Sequence, residues 1–364
     1  MAFFEHPGSS RKHSAAHTTA LIAAAIGVAF IAFAPQGANA QDKELVFGGF
    51  GGSFQKGLLK TVIKPFEKKF GVHVTYVTGT SNQLLAKVKA QRNRPEIDVI
   101  WANDTTHFEG KQQGLYAKLD TSKVTNLPQL YSFAKDPQDI GLVMGIQAIG
   151  LEYNTKVFKE KGWAPPTSWN DLWNPKYKGH VVVYNMPIGY ANLMLGEIAK
   201  LKGGSSTNLE PGWKAFEALV PNALAFVSPP AQVDNLFSQG SAWIAFNGSA
   251  RIENLKAAGG PVEIVYPKEG AVIYRQQFDI VKNAPHMALA QEFVNYTISE
   301  AAQRRMAGAL LLGPVNKNVK LSKEDAAKVP YGEKRVSSLS NIDSDPINKA
   351  LPELVKRWMA MVAH

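Results

Sequence analysis

The chain of 364 residues contains no cysteine. It therefore has no thiol for lipid attachment and cannot form a disulfide framework. Its stability must come from packing, and 45% hydrophobic residues are ample for a buried core. The length suggests about two domains.

The sequence also lacks the motifs that mark nucleotide, metal and catalytic sites. Gly48–Gly52 follows a predicted strand, but a dinucleotide loop would need its third glycine at Phe54, and no G-K-[ST] follows. No H-E-x-x-H occurs, and the histidines after residue 40 lie far apart. Ser53 and Ser249 lack the G-x-S-x-G turn and have no evident base. We expect no cofactor, no metal and no enzymatic activity; the glycines fit either a close approach to a ligand or a tight turn.

Runs of basic charge are absent as well, although the net charge is +10. The lysines are spread singly along predicted helices, as at Lys56, Lys60 and Lys64. A nucleic-acid or anionic membrane surface would favour a cluster of about five or six. We expect a solvated basic surface and no nucleic-acid partner.

Long hydrophobic runs are confined to the N-terminus. A basic pair at 11–12 precedes the apolar run Ala20–Ala34, and Ala38-Asn39-Ala40 ends it with small residues at the spacing that signal peptidase requires. The run is shorter than the roughly 20 residues of a membrane span, and no second such run exists. We predict that residues 1–40 are a cleaved signal peptide and that the mature protein is exported, most simply to the periplasm.

After residue 40, predicted strands and helices alternate. Strands at Glu44–Gly48, Val72–Val77 and Pro95–Trp101 are separated by helices at about Phe54–Lys69 and Asn82–Arg92. This order predicts an α/β fold with a parallel sheet and helices on its faces.

Small and polar residues follow each of these strands, in Gly49–Phe54, Thr78–Asn82 and Ala102–Thr106. Ligands bind off the carboxyl ends of strands in such sheets. Gly51 and Gly52 would also let backbone N–H groups approach a ligand, aided by the positive end of the following helix.

One later stretch, Tyr266–Phe278, combines an aromatic residue, a cation and two amides. Its proline and glycine predict a turn, with short strands at Val272–Tyr274 and Phe278–Val281 and with Tyr274–Gln277 around their junction. A cation and amides held at such a junction can orient a small polar ligand. A solvated surface turn would carry the same residues, so the rest of the chain must decide.

Five segments resemble, in order, the periplasmic solute-binding proteins of ABC importers, in particular the spermidine/putrescine-binding group. They are Glu109–Asp120, Ala148–Asn154, Thr167–Gly179, Phe246–Ala250 and Val265–Gly270. The resemblance covers essentially the whole mature chain.

This resemblance implies the type II periplasmic binding protein fold, with two α/β lobes, each a mainly parallel sheet flanked by helices. Crossover segments would form a hinge, and the lobes would close on a solute in the cleft between them. Residues 42–147 plus 262–308 would form the first lobe, and 148–261 plus 309–364 the second. The implied partners are a small-molecule ligand and an inner-membrane ABC permease, and we expect a monomer.

The ligand chemistry of the polyamine binders does not transfer whole. Such proteins hold each ammonium with carboxylates and aromatic walls, because a desolvated cation needs both. Here Met186, Gly189 and Gln276 occupy positions where that group carries acidic residues, and Arg275 adds a positive charge. These changes favour an anionic solute that an arginine binds bidentately. Asp104 could still hold an ammonium, so a zwitterion remains open.

The predicted pocket places Arg275 as a clamp for a carboxylate or phosphonate, between aromatic walls and hydrogen-bond donors. The predicted ligand-binding residues are Phe50, Gly52, Ser53, Phe54, Asn82, Asn103, Asp104, Asn185, Tyr190, Phe246, Asn247, Tyr274, Arg275 and Gln276.

Three alternatives stay open. A polyamine binder would take its acidic groups from Asp104, Asp279 or Glu269. A ferric-ion binder would resemble relatives with adjacent tyrosines, and no Tyr-Tyr pair occurs here. An exported enzyme could reuse the hinged fold, but the sequence shows no pairing of a nucleophile with a base.

Overall fold

The fold is described from a computed structural model, which covers residues 43–186 and 188–363. The predicted signal peptide lies outside the described residues. The described residues cluster as one compact unit. In the described part of the chain, no helix is long and apolar enough to cross a membrane.

Strands and helices alternate along the chain. The strands are β1 (Glu44–Gly49), β2 (His73–Thr78), β3 (Val99–Asn103), β4 (Leu142–Asn154), β5 (Val181–Tyr184), β6 (Ala223–Val227), β7 (Ile244–Gly248), β8 (Val262–Val265) and β9 (Val272–Ile280). The first helices are α1 (Gly52–Leu58), which continues through a π-helical turn (Leu59–Ile63) into α2 (Lys64–Phe70), then α3 (Ser81–Ala90), α4 (Asp104–Gln112) and α5 (Thr155–Glu160). The next are α6 (Gly189–Leu201), α7 (Glu210–Leu219), α8 (Pro230–Ser238), α9 (Ser249–Ala257), α10 (Met287–Thr297) and α11 (Glu300–Leu310). The last are α12 (Lys323–Lys328), α13 (Glu333–Ser337), α14 (Asp345–Lys349) and α15 (Leu351–Val362).

All the strands named above belong to one mixed sheet. Its order is β2-β1-β3-β9-β4-β7-β5-β6, and β8 pairs with β4 beside this path. β1 runs parallel to β2 and β3, as the strand–helix alternation predicts, and β5 runs parallel to β6 and β7. β4 and β9 run antiparallel to each other in the middle of the sheet.

β4 and β9 cross between two separate hydrophobic cores. On β4, the residues up to Ala148 pack in one core and those from Ile149 in the other. On β9, Val272 belongs to the second core, whereas Ile273 and Phe278 belong to the first. We call the residues around these cores the first lobe and the second lobe.

The predicted limits of the two lobes stay a prediction, but the cores indicate where they would shift. Val262 of β8 packs in the second core. Leu312, Val315 and Leu339 pack in the first core, beyond its expected end at residue 308. Lobe limits set by packing would therefore assign Val262 to the second lobe, and Leu312, Val315 and Leu339 to the first.

One predicted break is not found. The sequence suggested two short strands separated by a junction at 274–277, but β9 runs without interruption from Val272 to Ile280. Its pairing with β3 on one side and β4 on the other satisfies the backbone groups of this segment, so the strand continues without a break. The predicted turn before it is present, since Gly270 N donates to Pro267 O at 2.8 Å. This continuity fixes which of its side chains share a face.

Candidate functional site

A cleft of about 1050 Å³ lies between the two lobes. It is lined by Phe50, Gly51, Ser53, Phe54, Thr78, Gly79, Thr80, Ser81, Asn82, Gln83, Asn103 and Gln147, and by Tyr190, Pro230, Asp234, Ala250, Arg251, Asn254, Tyr274 and Gln276. Helices α3 and α8 begin at lining residues, and helices α1, α6 and α9 each begin one residue before a lining residue. The positive ends of several helix dipoles therefore point toward one space.

The aromatic part of the first wall is built around Trp101, which is fully buried in β3. The ring centroids of Phe50 and Phe54 lie 4.8 and 5.4 Å from the centroid of Trp101. Trp101 Nε1 also donates to Gln276 Oε1 at 2.8 Å, across the β3–β9 pair. Because the amide oxygen is engaged, the Nε2 group of Gln276 is the end free to donate to a ligand.

The N-terminus of α3 supplies backbone donors to the same wall. Thr80 Oγ1 accepts from Gln83 N, and Gln83 Oε1 accepts from Thr80 N, forming a capping box. The cap uses the N–H groups of Thr80 and Gln83, which leaves those of Ser81 and Asn82 without an intrahelical partner. The hydroxyl of Ser81 is buried and has no hydrogen-bond partner among the described residues. This turn can therefore hold an anion.

Tyr190 and Tyr274 form the aromatic part of the opposite wall. Their ring centroids lie 4.8 Å apart in an edge-to-face arrangement. The Tyr190 hydroxyl donates to Gln147 Oε1 at 3.4 Å. Gly248 makes this packing possible, because a Cβ at that position would lie 2.7 Å from Gln147 Oε1 and 2.8 Å from Tyr190 Cζ. Burial raises the pKa of Tyr190 to about 12, so the hydroxyl stays protonated at neutral pH.

Asp234 and Arg251 are the charged side chains that line the cleft in the described part of the chain. Arg251 Nη1 donates to Asp234 Oδ2 at 2.5 Å, and the two side chains are 33% and 25% exposed. Burial raises the pKa of Asp234, and the neighbouring guanidinium opposes that rise. The described lining of the cleft thus contains one cation and one anion, already paired.

Eight of the predicted ligand-binding residues line this cleft: Phe50, Ser53, Phe54, Asn82, Asn103, Tyr190, Tyr274 and Gln276. Asn103 also caps α4, since its Oδ1 accepts from Thr106 N at 3.0 Å. Gly52 lies between two lining residues and adopts φ +67°, which glycine tolerates best.

Arg275 does not lie where the sequence placed it. Neighbouring residues on a strand point to opposite faces, so Arg275 and Gln277 point away from Tyr274 and Gln276. Arg275 lines a different cavity of about 330 Å³, together with Asp104. Its Nη1 lies 3.7 Å from Asp104 Oδ2. The expected clamp and the expected ammonium partner therefore face each other outside the cleft.

Three further predicted residues lie inside the second lobe. Phe246 is 1% exposed and packs in the second core. Asn247 is fully buried, with Nδ2 donating to Glu152 Oε2 at 2.8 Å and Oδ1 accepting from the Tyr184 hydroxyl at 2.8 Å. Asn185 Oδ1 accepts from Trp358 Nε1 at 2.8 Å. These contacts hold the lobe together and leave the three side chains outside the cleft lining.

Sequence reasoning missed Gln147, Asp234 and Arg251. Arg251 directly follows the recognised segment Phe246–Ala250, at the carboxyl end of β7, which is the position where ligand contacts are expected. Asp234 lies on α8 with no local motif, and only its proximity to Arg251 marks it. Among residues 43–186 and 188–363, no three His, Cys, Asp or Glu side chains are grouped as a metal site requires.

Comparison with known proteins agrees with this architecture. The model of the bacterial extracellular solute-binding protein family matches residues 61–330. The chain is 26% identical to the spermidine/putrescine-binding periplasmic protein of Escherichia coli (strain K12), over 75% of this chain and 82% of that protein. It is 24% identical to the gamma-aminobutyric acid-binding protein of Pseudomonas aeruginosa, over 80% of this chain and 81% of that protein.

Among solved structures, an ABC transporter protein from Clostridium perfringens superposes with a TM-score of 0.78 at 28% identity, covering 87% of this chain and 99% of that chain. The resemblance, the fold and the expectation of a binding protein rather than an enzyme are confirmed by these matches. The chain therefore belongs to the bacterial extracellular solute-binding protein family, as a periplasmic binding protein of an ABC transporter.

Proposed function

We propose that this protein captures a small zwitterionic organic solute, with one carboxylate or phosphonate group and one amino group, and delivers it to its permease. The observation that carries this proposal is the Arg251–Asp234 pair, which supplies the charged side chains of the cleft in the described residues. A zwitterion can exchange this one internal ion pair for two ion pairs with the ligand, and no charge is left unpaired.

The acid group of the ligand would bind at Arg251. A guanidinium forms two parallel hydrogen bonds with a carboxylate or phosphonate. Arg251 belongs to the first turn of α9, and the free N–H groups of Ser81 and Asn82 begin α3 across the cleft. Both helix ends favour negative charge, so closing the cleft would surround the acid group with donors from both lobes.

The amino group would bind at Asp234, beside the tyrosine pair. A carboxylate with an aromatic wall is the usual environment for a desolvated ammonium. Tyr190 and Tyr274 provide that wall, and Phe50 and Phe54 provide an apolar surface for the carbon chain.

A polyamine is the second candidate. It is supported by the 26% identity to the spermidine/putrescine-binding protein and by the aromatic walls. Against it, a diamine or triamine needs two or more carboxylates in the cleft. Among the residues that the structure describes, Asp234 is the one carboxylate that lines it, and it is already paired with Arg251. The relative named for gamma-aminobutyric acid binding, a zwitterion, supports the first candidate.

The experiment is isothermal titration calorimetry of the mature protein with gamma-aminobutyric acid, 2-aminoethylphosphonate, putrescine and spermidine. We expect binding by one or both zwitterions and none by the polyamines. Arg251→Gln should weaken the binding of the zwitterion by about 10- to 100-fold, because a charge-assisted hydrogen-bond pair is lost. Asp234→Asn should weaken it through the amino group.

Arg251→Lys is the matched control, because it keeps the charge and removes the bidentate geometry. It should retain part of the affinity that Arg251→Gln loses. Binding of polyamines alone, strengthened by Arg251→Gln, would contradict the proposal and support the second candidate.

Export and assembly are part of the same proposal. Cleavage after Ala40 would release a mature chain that begins at Gln41, and we expect that chain to act as a monomer. Intact mass measurement of protein from the periplasmic fraction, followed by light scattering, tests both statements. A mass that includes residues 1–40 would contradict cleavage.

A further inference from the structure

A small enclosed cavity of about 10 Å³ lies behind the cleft, between the lobes. Asn103 and Tyr274 line both the cleft and this cavity, so only that part of the wall separates them. The first lobe contributes Asp104 from the start of α4, and the second lobe contributes Asn192 from α6 and Asn348 from α14.

Three of the residues that line this cavity, one from the first lobe and two from the second, carry polar atoms without a hydrogen-bond partner. They are Asp104 Oδ2, both amide atoms of Asn192, and Asn348 Nδ2, none of which has a hydrogen-bond partner among the described residues. The three residues are 7%, 2% and 8% exposed. Leaving such atoms unpaired inside a protein is costly, so a cluster of them indicates an occupant.

Two of these three side chains, Asp104 and Asn348, are held in place by their other polar atom. Asp104 Oδ1 accepts from Gln277 Nε2 at 2.9 Å, and Asn348 Oδ1 accepts from the Thr105 hydroxyl at 3.0 Å. The second of these bonds joins the lobes directly. The unpartnered atoms of Asp104 and Asn348 are therefore held in position by the bonds that the other atom of each side chain makes.

We propose that this cavity binds one ordered water molecule, which bridges Asp104 of the first lobe to Asn192 and Asn348 of the second. The volume matches a single water, and buried waters make about three hydrogen bonds. The chemistry also matches, since Asp104 Oδ2 and Asn192 Oδ1 accept while the amide groups of Asn192 and Asn348 donate. A metal ion or an ammonium could not accept from those N–H groups, so a neutral water fits better than a cation.

The bridging water gives the hinge region a polar contact independent of the ligand. It lies next to Arg275, whose Nη1 is 3.7 Å from Asp104 Oδ2. Asp104 and Arg275, which the sequence suggested as ligand contacts, thus take part in the connection between the lobes. This inference concerns the protein without ligand and holds whichever solute the cleft binds.

Thermal unfolding of Asn192→Leu tests the proposal by the sign of the change in Tm. If the water is bound, leucine displaces it and leaves Asp104 and Asn348 unsatisfied, and Tm should fall by about 2–6 °C. If the cavity is dry, leucine removes an unsatisfied buried amide, and Tm should rise. The matched control is Asn316→Leu, since Asn316 Nδ2 already donates to Gln129 Oε1 and Ile298 O. Asn316→Leu should lower Tm whether or not the cavity holds water.

A crystal structure of the wild-type protein at a resolution that shows ordered water is the second measurement, and it does not depend on a variant folding. We expect one density peak within hydrogen-bond distance of Asp104 Oδ2 and of at least one of the two asparagine amides. No peak, or a rise in Tm for Asn192→Leu, would overturn the proposal.

Discussion

Trp101 and Gln276 join two neighbouring strands through their side chains, since Trp101 Nε1 donates to Gln276 Oε1 at 2.8 Å. Trp101 is fully buried, and Gln276 is 3% exposed and lines the cleft. The tryptophan therefore sets the orientation of an amide that faces the cleft, although it does not line the cleft itself.

Trp101→Phe should weaken ligand binding by about 3- to 10-fold, because Gln276 loses the bond that orients it and because a neutral hydrogen bond contributes about 1 kcal/mol. The measurement is calorimetric titration with the zwitterion that binds the wild-type protein. Trp173→Phe is the control, since Trp173 Nε1 donates to Ala215 O at 2.7 Å away from the cleft. Equal losses of affinity in both variants would contradict an orienting role.

Arg275 and Arg251 should respond differently to the same substitution. Arg275→Gln should change affinity by less than about 3-fold but lower the free energy of unfolding by about 1–3 kcal/mol, because it leaves Asp104 buried without its cation. Arg251→Gln should mainly change affinity. Titration calorimetry and urea unfolding of both variants separate the two effects. A large loss of affinity with Arg275→Gln would restore it as a ligand clamp.

Glu152 should make the stability of the protein depend on pH. It is fully buried, Asn247 donates to its Oε2, and burial raises its pKa from 4.5 to about 8. Between those values the unfolded chain binds fewer protons than the folded protein, so the free energy of unfolding decreases as pH rises. The contribution of protonated Glu152 to the free energy of unfolding is fully present below about pH 4. It is lost by about pH 8, at up to about 1.4 kcal/mol per pH unit.

The neutral variant Glu152→Gln should remove most of this dependence. Guanidinium unfolding measures the free energy of unfolding at about pH 5 and about pH 8. Between these two pH values, that free energy should fall more for the wild type than for the variant, by a difference on the order of 3–4 kcal/mol. Glu160→Gln, at an exposed position of α5, should behave as the wild type does. Parallel pH curves for wild type and Glu152→Gln would contradict the prediction.

Gly248→Ala should disturb the tyrosine wall. The added Cβ would meet the Tyr190 hydroxyl and Gln147 Oε1, so Tyr190 must move. We expect a loss of affinity of about 10-fold and a loss of stability of about 1–3 kcal/mol, as for other overpacked positions. Adding Tyr190→Phe removes the nearest obstructing atom and should restore part of the stability. A double variant no more stable than Gly248→Ala would indicate that the strain lies elsewhere.

The strand–helix alternation could be predicted from sequence because it depends on local periodicity. β1, β2 and β3 and the helices between them occur within a few residues of their predicted positions, and so do the cleft residues on the loops that follow. Strand ends in a parallel sheet lie together whatever the rest of the chain does. Phe50, Ser53, Asn82 and Asn103 were therefore accessible to sequence reasoning.

The face of β9 and the partner of Arg251 could not be predicted in the same way. Whether Tyr274–Gln277 interrupts two short strands or continues a single one depends on pairing with β3 and β4, whose residues are distant in sequence. Once the strand is continuous, its alternation moves Arg275 out of the cleft. Asp234 on α8 reaches Arg251 on α9 only in the folded chain, and no local pattern indicates that contact.

The pairing of β4 with β9 determines how the lobes can move. The two strands are hydrogen-bonded to each other from Leu142–Phe278 to Ile149–Val272, so a two-stranded ribbon joins the lobes. Such a ribbon can change its twist while its backbone bonds keep their partners, whereas bending within the plane of the sheet would break them. Gln147, Tyr274 and Gln276 belong to the ribbon and should keep their spacing as the walls approach. This part of the cleft should therefore keep constant dimensions on closure, and the two walls should adjust to the length of the solute.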